Sequence, residues 1–121
     1  MRCWGPNGHG ALGYEATGRC PTTTGSDLEC STTAEVVPGL TNVRAVGVGG
    51  DHVCAASDEG TRCWGTGEYG QLGTAAPDFC HAGVACSRSP VAPDDGEVYS
   101  ALAAGTSVSC GLTADGEVRC W

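Results

Sequence analysis

The sequence has no lysine, and its six arginines stand against 14 aspartates and glutamates, which gives a formal net charge of −8. The arginines occur singly and form no basic cluster. An acidic surface of this kind repels the phosphate backbone of nucleic acids. It repels the headgroups of an anionic membrane for the same reason. We therefore expect no nucleic-acid partner and no attraction to a membrane surface.

Long hydrophobic stretches are missing as well. No segment approaches the roughly 18 apolar residues that a bilayer-spanning helix needs. The chain starts Met1-Arg2-Cys3-Trp4 without the apolar segment of a signal peptide, so we expect neither membrane insertion nor a signal peptide in these residues. Large apolar side chains are scarce, and at roughly 25 cal/mol per Å² of buried surface a thin core stabilises only weakly. Small secreted proteins with thin cores rely on disulfides instead.

Glycine and cysteine are abundant, with 20 and nine copies, and they recur in register. Residues 2–13, RCWGPNGHGALG, align without a gap on residues 62–73, RCWGTGEYGQLG. Further along, Cys54 matches Cys110 and Gly60 matches Gly116. The repeat unit is therefore nearly 60 residues long. We divide the chain into a first repeat, residues 1–61, which begins at the last strand of a preceding unit, and a second repeat, residues 62–121, which ends at the last strand of its final hairpin.

Each repeat contains short strand signals separated by turn residues. Residues 43–48 alternate bulky and small or polar side chains, as a half-buried strand does, and residues 52–56 and 61–64 follow as two more strands. Asp58-Glu59-Gly60 lies between those two and is typical of a hairpin turn. No helical periodicity is evident. We therefore predict an all-β fold, a partial β-propeller of about two blades of short antiparallel strands.

The odd number of cysteines is explained by the phase of the repeat. Cysteines that face each other on the two strands of a hairpin are close enough for a disulfide. Two hairpin bridges and two bridges that close the longer loops follow: Cys54–Cys63, Cys110–Cys120, Cys20–Cys30 and Cys80–Cys86. Cys3 is left unpaired, and we expect its partner on a strand before Met1, which indicates a fragment of a longer protein.

Zinc binding is the alternative use of the cysteines, because His81 directly follows Cys80 and Cys86 is near. Structural zinc sites favour close cysteine pairs such as C-x2-C, and this spacing does not occur in the chain. We therefore expect no metal site.

The repeated motif, a strand G-x-x-H-x-x-A, a glycine turn, W-G and then G-Q-L-G, resembles the repeat of the regulator of chromosome condensation family. The residues that carry it are Gly49, His52, Ala55, Gly60, Trp64, Gly65, Gly70, Gln71, Leu72 and Gly73, and in the earlier copy Trp4, Gly5, Asn7, Gly10, Leu12 and Gly13. The second copy departs from the pattern at Val108 and Gly111, which replace the histidine and the alanine. The resemblance implies a β-propeller, usually of seven four-stranded blades. Its cysteine-rich form resembles predicted extracellular bacterial members.

The most regular residues of the repeat are expected to be structural. Trp4, Trp64 and Trp121 recur with the repeat, as do Gly13 and Gly73, which indicates packing between blades rather than a ligand site. Residues 65–70 formally match the nucleotide-binding pattern G-x-G-x-x-G, but no helix signal follows them. We therefore expect no catalytic residue and no cofactor.

Recognition is expected in the loops. Residues 14–34 and 74–89 differ between the two copies in length and content, and variable loops on a rigid repeated scaffold usually carry binding sites. The candidate partner-binding residues are Thr74, Asp78, Phe79, His81 and Arg88.

The sequence thus predicts a non-catalytic binding or scaffold module, part of a secreted or cell-surface β-propeller that recognises a protein or glycan. Further blades in the same or another chain are expected to complete it. One alternative is a fragment of a sialidase-like or lyase-like propeller enzyme, although no converging acid and base are evident. Guanine-nucleotide exchange, by analogy with the family, is the other alternative, and fold similarity alone does not transfer that activity.

Overall fold

The computed structural model describes residues 1–121 and contains eleven β-strands and one short 3₁₀ turn. The strands are β1 (Arg2–Pro6), β2 (Gly18–Pro21), β3 (Asp27–Val36), β4 (Ala45–Val48), β5 (His52–Ser57), β6 (Gly60–Thr66), β7 (Asp78–Phe79), β8 (Ala85–Val91), β9 (Ala101–Ala104), β10 (Ser109–Leu112) and β11 (Val118–Cys120). The 3₁₀ turn covers His81–Gly83. No helix in the structure has the length and apolar character needed to cross a membrane. The predicted all-β fold is confirmed.

The strands form three antiparallel sheets. The first sheet has the order β1-β3-β2, the middle sheet β4-β5-β6-β8-β7 and the third sheet β9-β10-β11. The register of β1 on β3 reproduces that of β6 on β8, because Gly5 faces Ser31 as Gly65 faces Ser87. The register of β10 on β11 likewise reproduces that of β5 on β6. The first sheet therefore corresponds to the last three strands of the middle sheet, and the third sheet to its first three.

Hydrogen bonding groups the strands differently from the sequence period. The division into residues 1–61 and 62–121 follows the period, cuts through β6 and stays a prediction. The hairpins β2–β3 and β7–β8 lie largely in segments that the sequence analysis treats as loops. Their serine, threonine and charged residues hide the alternation that marks a strand, and these strands form because they pair with each other and with the rest of the sheet.

The buried side chains gather where one sheet meets the next. One cluster groups Val37, Leu40, Val53, Ala55 and Trp64. The other groups Leu72 with the cysteines of the Cys54–Cys63 bridge, and Leu102 and Trp121 pack against it. The thin core is therefore divided between the two junctions rather than placed in one centre.

At each junction between sheets, the indole ring of a tryptophan packs against a glycine. The indole Nε1 of Trp64 donates to the carbonyl of Ala11 at 3.0 Å, and a Cβ on Gly13 would lie 2.8 Å from that nitrogen. Trp121 repeats the arrangement, since its Nε1 donates to the carbonyl of Gln71 at 3.1 Å and a Cβ on Gly73 would lie 3.1 Å from it. These tryptophans and glycines therefore join successive sheets.

Four disulfides link the same cysteine pairs as the repeat phase predicts. The two hairpin bridges, Cys54–Cys63 and Cys110–Cys120, each span 4.1 Å between Cα atoms. The loop bridges Cys20–Cys30 and Cys80–Cys86 span 5.8 and 5.9 Å. Cys3 is free. Each bridge closes a short loop, which contributes about 2–3 kcal/mol in the chain-entropy model.

Candidate partner-binding surface

The segment between β6 and β8 is held in one shape by its own bonds. The Cys80–Cys86 bridge closes its last part, residues 81–85. Within the closed loop, the amide of Gly83 donates to the carbonyl of Cys80 at 3.0 Å, and the amide of Cys80 donates to the carbonyl of Val84 at 2.8 Å. Ala82 adopts a left-handed conformation with φ of 59° to complete the turn. The loop therefore presents its side chains from a fixed backbone.

Phe79 is the most exposed aromatic residue of this loop, with 76% of its surface accessible. It ends the two-residue strand β7, where it lies opposite Ala85 of β8. The neighbouring Asp78 carboxylate accepts the backbone amide of Arg88 at 3.3 Å and ties β7 to β8. A single exposed aromatic ring is common on protein surfaces. Phe79 is a candidate because it lies two residues before His81, which lines a polar cleft between the first and middle sheets.

His81 connects the loop to the first sheet. Its backbone amide donates to the carbonyl of Gly8 at 3.0 Å, and its ring lies 6.5 Å from that of His9, centroid to centroid. His9 Nδ1 in turn lies 3.5 Å from a carboxylate oxygen of Asp51. The two histidines therefore stand side by side where the two sheets meet.

Arg88 forms an ion pair across the same boundary. Its guanidinium lies 3.1 Å from Oε2 of Glu29, on β3 of the first sheet. Oε1 of Glu29 accepts from the side-chain amide of Asn7 at 2.7 Å and from the backbone amide of Ala16 at 2.9 Å. Burial raises the pKa of Glu29, but these hydrogen bonds and the arginine outweigh burial, so the net effect is a lowered pKa. The carboxylate is thus held in its charged form.

These groups line a cleft of about 220 Å³ between the first and middle sheets. Its walls are mostly polar and carry charges of both signs: Gly8, Arg19, Asp27, Leu28, Glu29, His81 and Arg88. Such a cleft offers both hydrogen-bond donors and acceptors to a polar ligand or to a polar loop of a partner. The sequence did not single out the cleft residues that belong to the first sheet, because their closeness to Arg88 depends on how the sheets pack.

Thr74 does not line the cleft and forms its hydrogen bond elsewhere. Its hydroxyl donates to the carboxylate of Asp94 at 2.7 Å, and the amide of Asp94 donates to the carbonyl of Gly73. Thr74 therefore holds the loop that follows β8. Of the five candidate residues, His81 and Arg88 line the cleft, and Asp78 and Phe79 form the adjoining strand β7.

The acidic turn before β6 is structural. Glu59 accepts hydrogen bonds from the hydroxyl and the backbone amide of Thr41, and together with its other bonds these lower its pKa to about 2. The neighbouring Asp58 accepts from Asn42 and pairs with Arg44 at 2.6 Å. The two carboxylates fasten the segment before β4 to the hairpin turn and do not face the cleft.

No family model and no curated protein matches the chain, but solved structures do. Prp20p from Saccharomyces cerevisiae superposes on 99% of the chain with a TM-score of 0.73 at 19% sequence identity. Yeast RCC1 (Prp20), in its complex with Kap60, gives a TM-score of 0.70 at 17% identity, again over 99% of the chain. The chain has the fold of an RCC1 propeller segment. Human WBSCR16 is similar too, with a TM-score of 0.65 at 15% identity over 97% of the chain.

The likeness to the RCC1 propeller explains the arrangement of the sheets. The chain covers only 28%, 27% and 31% of these three proteins, less than a third of each. The middle sheet corresponds to one blade, and the first and third sheets to parts of its two neighbours. The cleft between Glu29 and Arg88 therefore lies between two successive blades, and the predicted partial propeller is confirmed.

Proposed function

We propose that the chain is a non-catalytic binding module of a β-propeller. The observation that carries this proposal is the segment around the Cys80–Cys86 bridge, where the exposed Phe79 directly precedes the bridge and both His81 and Arg88 line a polar cleft. Aromatic and arginine side chains contribute much of the binding energy at recognition sites, and a rigid loop loses little entropy when it binds. A protein or glycan with an apolar face next to polar groups fits this surface.

The proposed compartment is extracellular or the cell surface. Four disulfides in 121 residues support an oxidising environment, because the cytosol keeps most thiols reduced. Prp20p is described as binding Gsp1p and histones, and yeast RCC1 as bound by Kap60. These partners support protein recognition as a use of the fold. They are not transferred to this chain, which covers less than a third of those proteins at 19% and 17% identity.

The experiment must change the surface without removing a strand. Replacing residues 74–89 as a whole would delete β7 and much of β8, so point variants are needed. The wild-type protein is first screened on a glycan array and on a display library of extracellular protein segments. The ligands found are then measured against Phe79→Ala and His81→Ala, with Tyr69→Ala as the matched control, because Tyr69 is 71% exposed and does not line the cleft.

We expect each loop variant to lose about tenfold or more in affinity, while the control binds as the wild type does. Ligands that bind the loop variants and the wild type equally would overturn the assignment of this surface. Turnover of sialosides or other polysaccharides by the wild type would overturn the non-catalytic assignment.

A further inference from the structure

The polar cleft between the first and middle sheets is formed by two hairpins. The hairpin β2–β3 supplies one wall, and the hairpin β7–β8 with the 3₁₀ turn between its strands supplies the other. Both strands of each hairpin are present and paired with each other. The walls of the cleft are therefore complete within the chain, and the side chains that face it can be considered as a possible ligand site.

Arg19, on β2, lines the cleft without an acceptor for its guanidinium. The five ion pairs of the structure do not include it. Each of the other five arginines donates a hydrogen bond to a carbonyl or carboxylate oxygen: Arg2 to Ala34, Arg44 to Asp58, Arg62 to Thr61, Arg88 to Glu29 and Arg119 to Glu97. An arginine has five N–H donors in a planar fork, so Arg19 offers an unused set.

The carboxylate that should neutralise Arg19 is already occupied. Glu29 lies directly opposite Arg19 in the β2–β3 register, and opposite charges at such positions usually attract each other. However, Oε1 of Glu29 accepts from Asn7 and Ala16, and Oε2 accepts from Arg88. Because Glu29 is turned toward these partners, the guanidinium of Arg19 is left for a group that comes from outside the chain.

Arg88 leaves donors free on the opposite wall. Its Nη1 donates to Glu29 at 3.1 Å, and the rest of its guanidinium has no acceptor in the protein. The side chain is 33% exposed and lines the cleft. Two guanidinium groups, one from each sheet, therefore face the same space. The planar fork of a guanidinium matches the two oxygens of a carboxylate, so this pair favours a carboxylate ligand.

The cleft also offers an acceptor. Asp27 precedes Glu29 by two positions on β3, which places both on the same face of the sheet, and it lines the cleft. No hydrogen bond within the protein occupies its carboxylate. Leu28 is the one large apolar side chain in the walls. A ligand that satisfies this cleft must therefore bring an anion for the arginines and hydroxyl donors for Asp27, and it gains little from apolar surface.

We propose that the cleft binds a sugar that carries a single carboxylate, such as a uronic or sialic acid residue of a glycan. The carboxylate accepts from Arg19 and Arg88, and ring hydroxyls donate to Asp27. The volume of about 220 Å³ lies below the roughly 300–1,000 Å³ of sites for drug-sized ligands, which suits one sugar ring. Because it names the ligand class of the surface described above, this assignment rests on the proposed function.

The charges of the protein disfavour the other ligand classes. The net charge of −8 repels a ligand with several negative charges, such as a phosphate group or an acidic peptide segment. A neutral sugar leaves the guanidinium of Arg19 without an anion. A peptide with one carboxylate satisfies the arginines but brings few hydroxyl groups for Asp27. A sugar acid with one charge and several hydroxyl groups meets both requirements.

The test titrates the purified, ¹⁵N-labelled protein with methyl β-glucuronide and with sialyllactose, and follows the arginine Nε–H resonances by NMR. The methyl ester of each probe is the matched ligand, because it keeps the ring and the hydroxyls and removes the charge. We expect the resonances of Arg19 and Arg88 to shift with the acids, and the esters to bind about tenfold or more weakly. Esters that bind as tightly as the acids would overturn the proposal.

Arg19→Gln tests the site within the protein. Because Arg19 makes no bond inside the protein, this variant should fold as the wild type does and lose about tenfold or more in affinity for the acidic sugars. Arg62→Gln is the matched control, because it changes the net charge by the same amount outside the cleft. Equal losses in the two variants would reduce the effect to long-range charge and overturn the assigned site.

The remaining outcomes separate this assignment from the proposed function. A capped peptide with one glutamate that binds at Arg19 as tightly as the acidic sugars would overturn the glycan class. Protein ligands from the display library that depend on Phe79 but not on Arg19 would overturn the acidic-sugar site and leave the proposed function standing. Failure of every probe, array glycan and displayed segment to bind would overturn both.

Discussion

His52 and Ser109 meet across the junction of the middle and third sheets, with His52 Nε2 2.9 Å from the serine oxygen. The same serine hydroxyl donates to the carbonyl of Gln71 at 2.8 Å. Because its single proton is used there, the serine must accept from His52, so the imidazole carries its proton on Nε2. Nδ1 is buried and has no partner. A second proton on the ring would place an unpaired charge inside the junction.

A pH dependence of stability follows from this arrangement. Burial lowers the pKa of His52, while Asp51 opposes the effect. The unfolded chain therefore takes up the proton more readily, and the stabilisation that is present above the unfolded pKa of about 6.5 is lost as the pH falls below it. Urea unfolding followed across the mildly acidic range should show this loss. His52→Gln, which keeps a donor for Ser109 but does not titrate, should remove that part of the dependence; an unchanged pH profile would contradict it.

Gly13→Ala should destabilise the protein by about 1–3 kcal/mol. The new Cβ would lie 2.8 Å from Nε1 of Trp64, at a residue with φ of 74°. Gly39→Ala is the matched control, because Gly39 has the same φ of 74° and nothing within 4 Å of the position of its Cβ. Thermal unfolding of the two variants then separates the close contacts with Trp64 and Val37 from backbone strain. Equal losses would show that these contacts make no contribution.

The hydroxyl of Tyr99 should ionise only at a higher pH than an ordinary tyrosine. Burial raises its pKa, and the hydrogen bond to Asp95 raises it further, to about 12. Since an unfolded tyrosine ionises near pH 10, the stabilisation is present below that pH and is lost as the pH rises toward 12. Absorbance of the tyrosinate at high pH should show a step that Tyr99→Phe abolishes and that Asp95→Asn moves to lower pH. A step that persists in Tyr99→Phe would assign it to another residue.

The disulfides should give a simple mass signature in the monomer. Four bridges remove roughly 8 Da relative to the reduced chain, and one thiol, that of Cys3, should react with an alkylating agent. Opening the Cys54–Cys63 bridge by Cys54→Ala and Cys63→Ala should cost about 2–3 kcal/mol through loop entropy alone. Opening Cys80–Cys86 in the same way tests the exposed loop. A double variant as stable as the wild type would show that its bridge contributes little.

The sequence was most informative where the repeat and the hairpins coincide. Cys54 and Cys63 could be paired because a short hairpin with one glycine turn places them opposite each other, and the structure has them in that register. The all-β propeller fold followed from the period and from short strands of this kind. Both depend on residues close together in the chain, which a pattern can report.

Polar contacts between the side chains of different sheets were not predictable from the sequence. Glu29 and Arg88 are 59 residues apart, and their ion pair depends on the angle at which two sheets pack. Strand β3 was not recognised in the sequence because the five residues at its C-terminal end are exposed and show no apolar alternation. Segments of this type become strands only because a neighbouring strand offers hydrogen bonds.

Each of the four disulfides joins cysteines separated by only 10, 9, 6 and 10 positions, so none connects one sheet to the next. Cohesion between sheets therefore depends on non-covalent contacts: the two apolar clusters and the tryptophan, histidine and arginine contacts. Under a pulling force applied at its ends, the oxidised chain should come apart at these junctions, while the cross-linked loops keep their residues out of the extended length. We expect such a protein to yield in separate steps, with each disulfide-closed loop retained when the force is released.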